Sequence, residues 1–239
     1  MGKSSGTVVV LVLVAAIAIG YHVAGNYARD KVEKSVAELL PSLIGPAQSY
    51  RVEVEASTGQ LMRRHLRAIN IHGDRVSLPR NIVVDRLDVR LQGVDFDAKT
   101  SSVKNIDNAE FDATLLETNL NNYLTGLYPE IEEMKIRLMD GYCDFSARPL
   151  FAGLRPNLRA QAVLEIGEGR FVNARISKAT TAGLPAPSPL RQYFEQQINP
   201  ILNTADFGFD TTLKSVVVQP GLVTLSGDAH LMGRLRAGP

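Results

Sequence analysis

Tryptophan is absent from the 239 residues, and cysteine occurs once, as Cys143. A single thiol excludes an intramolecular disulfide framework and any cysteine-rich zinc or iron–sulfur centre. The four histidines, His22, His65, His72 and His230, are scattered. His65 and His72 could share a surface, but no carboxylate is placed to complete a metal site with them. Excess charge is also missing: 26 basic against 25 acidic side chains leave +1. Nucleic acid therefore has no global electrostatic claim on this chain. Neither Gly-x-Ser-x-Gly, a P-loop, Gly-x-Gly-x-x-Gly, His-Glu-x-x-His nor an EF-hand loop occurs. Ser101-Ser-Val-Lys104 has Ser-x-x-Lys spacing but sits in a polar stretch between strands, not at the head of a helix. The pairs Glu132-Glu133 and Asp95/Asp97 suit solvated strand faces better than acid–base work. A non-enzymatic protein without catalytic residues, metal or cofactor is expected.

The first feature present is apolar. Thr7 to Gly25 carries no Asp, Glu, Lys or Arg over 19 residues, and Val8 to Ile19 is wholly apolar. As a helix this stretch reaches roughly 28 Å, close to the hydrocarbon thickness of a bilayer. Residues 1–25 therefore read as a signal peptide or a transmembrane signal anchor. Either reading exports the remainder, anchored on the extracytoplasmic side if the segment is kept and secreted if it is cleaved. Ala18-Ile19-Gly20 and Val23-Ala24-Gly25 offer cleavage sites. In an oxidising compartment the lone thiol of Cys143 should be buried.

Beyond residue 25 the chain alternates between helical and strand periodicity. Ala28, Val32, Val36, Leu39 and Leu40 recur at helical spacing up to Pro41. Arg51 to Ala56 has the period of a half-wet strand, and strand-like runs follow at 68–72, 82–91, 94–98 and 109–113. The apolar phase slips by one at Gln92-Gly93, which predicts a β-bulge. Asp140-Gly141 predicts a hairpin facing Leu138 with Cys143, Ile136 with Phe145 and Met134 with Ala147. A loop at Gly167-Glu168-Gly169 pairs Leu164 with Val172, Ala162 with Ala174 and Ala160 with Ile176. Pro220-Gly221 pairs Val218 with Val223 and Val216 with Leu225. Each register gathers its apolar residues on one face, as an antiparallel sheet with one wet side requires. Thr114-Leu-Leu-Glu117 has capping-box spacing, ahead of a stripe of Leu116, Leu120, Tyr123, Leu124 and Leu127. Ser188 as cap and Pro189 as first helical residue open a second stripe, Leu190, Tyr193, Phe194 and Ile198. Asn199-Pro200 should break or kink that helix, with Ile201 and Leu202 continuing its apolar face. Residues 26–233 are expected to form one domain, with 234–239 as a flexible tail.

Around ten strands with one apolar face each meet only three helical stretches. Either the sheet covers itself, or it curls around the helices and leaves an apolar groove for an acyl chain. Small residues such as Ala147, Ala160, Ala162 and Ala174 would line such a groove, or would let a helix pack close. The only local basic concentration, Arg63-Arg64-His65-Leu66-Arg67, is a solvated stretch or a patch for anionic headgroups.

The order of these features resembles the LmeA family of phospholipid-binding envelope proteins. An export segment and an amphipathic helix come first, then strands at 51–56 and 68–72. The helix opening in Thr114-Leu-Leu-Glu-Thr-Asn-Leu-Asn-Asn-Tyr-Leu124, the segment Ile198-Asn-Pro-Ile-Leu202 and the closing strand Leu222-Val-Thr-Leu-Ser-Gly227 follow. The resemblance spans about 180 residues and carries no catalytic set. It implies an α+β fold in which a strongly curved antiparallel sheet wraps a few amphipathic helices. Non-enzymatic binding of phospholipid or a related envelope lipid, with transport or presentation, is the implied function. The apolar faces then propose Leu116, Leu120, Tyr123, Leu124, Tyr193, Phe194, Ile198 and Leu202 as lipid-binding, and Arg63, Arg64 and Arg67 as headgroup contacts. The expected partners are membrane lipid and the membrane itself, through the N-terminal helix. The alternative is a structural or interaction protein of the envelope with a filled core.

Overall fold

In the computed structural model the described residues are 33, 37–38, 40–42, 44–57, 60, 65–97, 102–207 and 211–229. They form two antiparallel sheets. The first is ordered β1-β2-β3-β4-β12-β11. It comprises β1 (Ser49–Glu55), β2 (His65–Leu78), β3 (Ile82–Asp97), β4 (Ser102–Leu116), β11 (Thr211–Gln219) and β12 (Leu222–Ala229). The second is ordered β10-β8-β7-β6-β5, with β9 pairing on β8. Its strands are β5 (Glu132–Leu138), β6 (Cys143–Arg148), β7 (Leu158–Gly167), β8 (Phe171–Thr181), β9 (Leu184–Pro185) and β10 (Leu202–Asn203). Helix α1 (Glu117–Leu127) carries the chain from the first sheet to the second, and α2 (Ser188–Ile198) lies between β9 and β10.

This corrects the expected fold class. Two sheets stand where one curved sheet around helices was expected. Both contribute apolar faces to one continuous buried cluster, from Val54 and Phe111 to Phe145 and Val172. Sheet thereby buries much of the surface that the scarce helices could not. Strand β11 joins the two sheets end-on, because Leu213 N–H donates to Gly169 O (2.6 Å) and Gly141 N–H to Val218 O (3.1 Å). The transmembrane helix is also withdrawn from the fold: among the described residues no helix is long and apolar enough to cross a membrane. Thr7–Gly25, to which that expectation applied, lies outside the described residues, as does the tail 234–239. In the first amphipathic stretch, residues 40–42 are helical and Leu40 O accepts from Ile44 N–H (2.9 Å), so Pro41 does not end the helix.

Turn chemistry fixed two of the three expected hairpins, and side-chain period protected the third. Leu138 faces Cys143 and Ile136 faces Phe145, but the register then shifts and Met134 is not opposite Ala147. Glu133, at φ 52, takes up the extra residue, while Met134 stays buried. Val218 faces Val223 and Val216 faces Leu225. Between β7 and β8 the pairs are Leu164 with Ala174 and Ala162 with Ile176, two residues off the expected register. A slip of two keeps every side chain on its face, so the apolar pattern does not detect it. The bulge expected at Gln92-Gly93 is absent from the β2–β3 ladder, which runs in one register from His65–Asp95 to Ile69–Leu91. Both strands change buried face together there, Ile69 and Leu91 giving way to Leu66 and Val94. Gly93 turns at φ 59, where a Cβ would strike the Asp107 carboxylate. The register shift against β4 falls instead between Asp95 and Phe96.

Neither expected side-chain cap forms. Thr114 is still in β4, with its hydroxyl against that of Thr224, and α1 begins at Glu117 without a side-chain cap. The Asp85 carboxylate steadies that junction, accepting from Leu116 N–H (2.8 Å) and from the Asn119 amide (2.9 Å). Helix α2 starts one residue early, with Pro187 as its N-cap. Asn199 ends it, ahead of a cis Asn199-Pro200 bond.

The two helices hold the second sheet by one repeated device. Asn121 pairs its side-chain amide with the edge of β5, donating to Ile136 O (2.8 Å) and accepting from Ile136 N–H (2.8 Å). Four residues earlier, Glu117 accepts from Leu138 N–H (2.7 Å). At the opposite side Asn199 donates to Ala174 O (2.9 Å) and accepts from Ala174 N–H (2.7 Å), and Glu195 accepts from Ile176 N–H (3.2 Å). Each Glu-x-x-x-Asn spacing places both side chains on one helix face, where they substitute for a missing strand. The Tyr128 hydroxyl, at the end of α1, shares its proton between Ile198 O (2.9 Å) and Pro200 O (2.8 Å) and ties the two helices together.

Candidate functional site

The apolar face of the second sheet is covered, and its wet face bears a hollow of about 620 Å³. Register builds that hollow in two cross-strand rows. Arg137, Asp144, Gln161 and Lys178 form one, and Lys135, Ser146, Arg159 and Thr180 the other. Glu117 and Asn121 border it at the edge of β5. Alternation along β5, β6 and β7 sends Ile136, Phe145 and Ala160 inward and their polar neighbours outward, and the register shift between β7 and β8 turns Lys178 and Thr180 to that same outward face.

Charge is uneven across the rows. Lys135, Arg137, Arg159 and Lys178 are exposed and make no ion pair within 4.0 Å among the described residues. Only Asp144 and Glu117 oppose them in the lining, and the Glu117 carboxylate is already engaged by the Leu138 amide. Four cations around a concave surface, with hydroxyl and amide groups between them, suit a phosphate-bearing anion. Arg supplies forked donors and Lys a point charge.

None of the eight residues expected to bind lipid lines this hollow. Leu120, Tyr123, Leu124, Phe194, Ile198 and Leu202 are all buried in the core. Phe194 meets Phe145 edge to face at 6.2 Å, and Ala160, Ala162 and Ala174 are buried in the same core. Leu116 is 39% exposed at the β4–α1 junction, and Tyr193 is half-buried against Phe151 at 5.4 Å. Tyr123 lies near Asp206, a buried carboxylate that Arg80 reaches at 3.3 Å. Burial, with Asp206 adding to it, pushes the Tyr123 hydroxyl up to about 12. Of the expected headgroup contacts, Arg63 and Arg64 lie outside the described residues, and Arg67 is exposed on β2 in the other sheet.

Other candidates resolve into structural pairs. His65 bonds Asp95 (2.8 Å) and His72 bonds Asp88 (2.5 Å), each directly across the β2–β3 ladder. Glu132 and Glu133 pair with Arg148. Among the described residues no group of three or more His, Cys, Asp or Glu could hold a metal ion. Cys143 is buried, its thiol donating weakly to Ala162 O (3.4 Å), and burial pushes it up to about 12. The four trough cations were missed because Lys135 and Arg137 on β5, Arg159 on β7 and Lys178 on β8 meet only through the lateral order of the strands. A signal existed for Lys135, Arg137 and Arg159 in their outward phase along β5 and β7, but not for Lys178, which only the register shift on β8 brings to that face.

The family model of LmeA, described as LmeA-like phospholipid-binding, matches residues 19–228. No curated protein and no solved structure matches the chain.

Proposed function

The chain belongs to the LmeA-like phospholipid-binding family, and from that premise we propose that it grips the phosphate-bearing headgroup of a phospholipid in the trough of the second sheet. The observation that carries the reading is the set of four cations that have no ion-pair partner among the described residues, around a hollow of about 620 Å³. That volume lies within the range of small-molecule sites. A charge-assisted hydrogen bond contributes about 1.5–3 kcal/mol, so two or three contacts give useful affinity without any chemical step. The reading is of a binding protein that holds or presents lipid rather than transforming it.

Titration of the protein with short-chain phosphatidylglycerol below its micelle concentration tests this. Arg159→Glu with Lys178→Glu is expected to weaken binding by about 100-fold, from two lost contacts of about 1.4 kcal/mol or more each. Unchanged affinity, with the far-ultraviolet dichroism intact, would contradict the trough. A filled interior favours a second reading, an interaction protein without a lipid, which predicts no heat of binding for any phospholipid.

A further inference from the structure

Among the described residues the large exposed apolar side chains are Leu116, Leu150, Leu154, Leu184 and Val217, and three of them lie at one end of the second sheet. Leu150 (49% exposed) and Leu154 (71%) belong to the β6–β7 connection, and Leu184 (69%) to the β8–β9 hairpin. Leu158 pairs with both Ala147 and Thr181, so the two connections leave the sheet side by side. Their tips are alike. Phe151 and Leu154 exchange both backbone hydrogen bonds (2.8 and 2.9 Å) around Ala152-Gly153, and Thr181 faces Leu184 around Ala182-Gly183. The central residues have φ 49 and 79 in the first turn and 51 and 80 in the second. Two positive φ values in succession define a type I′ turn, whose first central position favours Asn or Asp. Each tip instead carries Ala-Gly-Leu, an apolar sequence in a backbone conformation that alanine adopts at a cost.

We propose that these twin Ala-Gly-Leu turns are a membrane-docking tip that enters the interfacial layer of a phospholipid bilayer. This rests on the phospholipid reading and deepens it, by assigning how the protein meets the lipid surface. A convex pair of hairpin tips suits a deformable bilayer better than a protein partner, which would need a matching socket. The row Lys135–Ser146–Arg159–Thr180 lies one pair inward from Ala147–Leu158–Thr181, so the trough cations stand directly behind the tip. Leucines in the interface with cations at headgroup depth are the order of groups that an anionic bilayer presents in reverse. The base of the β6–β7 tip is held in place: Arg155 pairs with Glu132 (3.3 Å), and Phe151 packs at a tilt against Tyr193 of α2.

The absence of tryptophan makes the test direct. Leu154→Trp and Leu184→Trp each introduce a sole tryptophan, excited at 295 nm apart from the seven tyrosines, and Val217→Trp on the other sheet is the control. On mixing with phosphatidylcholine–phosphatidylglycerol vesicles, both tip variants are expected to shift to the blue and to be quenched by lipid brominated high on the acyl chain. The control should do neither. No shift at either tip, in protein that still binds soluble short-chain phosphatidylglycerol, would overturn the tip while leaving the trough standing. A blue shift without vesicles that grows with protein concentration would assign the leucines to self-association and equally overturn it. Ala152→Asn with Ala182→Asn, placed in the Leu184→Trp background, should raise the melting temperature and lower the lipid quenching several-fold. A raised melting temperature with unchanged quenching would contradict the proposal.

Discussion

At the scale of single residues, burial decides the behaviour of the groups that titrate. Cys143 is raised from 9.0 to about 12, by burial first and then by Asp144. Tyr50 and Tyr123 are raised from 10.0 to about 12, chiefly by burial. In each the folded state holds its proton to higher pH than the unfolded chain does. The stabilisation is therefore complete below about pH 9 and is lost progressively as the pH rises toward 12. Urea midpoints should fall across that alkaline window, and Cys143→Ser should flatten the part nearest pH 9–10. Native protein at pH 8 should leave a thiol reagent unconsumed, with one equivalent reacting on denaturation; rapid native reaction would contradict a buried thiol. The position of Cys143 was legible because one hairpin register placed it opposite Leu138. The trough cations were not, since Lys135, Arg159 and Lys178 come from three strands whose lateral order is a long-range fact.

Elements show where local signals were reassigned. Thr114 and Glu117 have capping-box spacing, but Thr114 belongs to β4 and Glu117 serves the edge of β5. The same carboxylate is useful in either place, and only the tertiary structure chooses. Glu117 with Asn121 and Glu195 with Asn199 clamp opposite sides of the second sheet. Asn121→Ala and Asn199→Ala should each cost about 2 kcal/mol, because each leaves a strand N–H and C=O without their partner. Chemical denaturation checks this, and losses below about 0.5 kcal/mol would show that water replaces the amide. Removing Asn121 also loosens the edge that borders the trough, so lipid affinity should fall in that variant more than in Asn199→Ala. The register error between β7 and β8 has the opposite lesson. The period of two preserved the inward assignments from Leu164 to Ala162 and from Val172 to Ile176 although the partners were misjudged, whereas Lys178 faces outward only because the register shifts between Gln161 and Ala162.

For the whole molecule, the surplus of apolar sheet over helix was legible, and its resolution was not. Sequence periodicity shows that Val52, Phe111, Phe145 and Leu225 each need cover, but not that two sheets contribute them to one interior. The buried faces of α1 and α2 contribute to that interior, and the proposed headgroup site lies on the wet face of the second sheet. The measurement that tests this most directly is photocrosslinking with a phospholipid activated at its headgroup, followed by peptide mapping. Adducts within 135–146 and 159–180, competed by unlabelled phosphatidylglycerol, are the expected result. Adducts confined to 63–67, or to 116–124 and 193–202, would contradict the trough as the headgroup site.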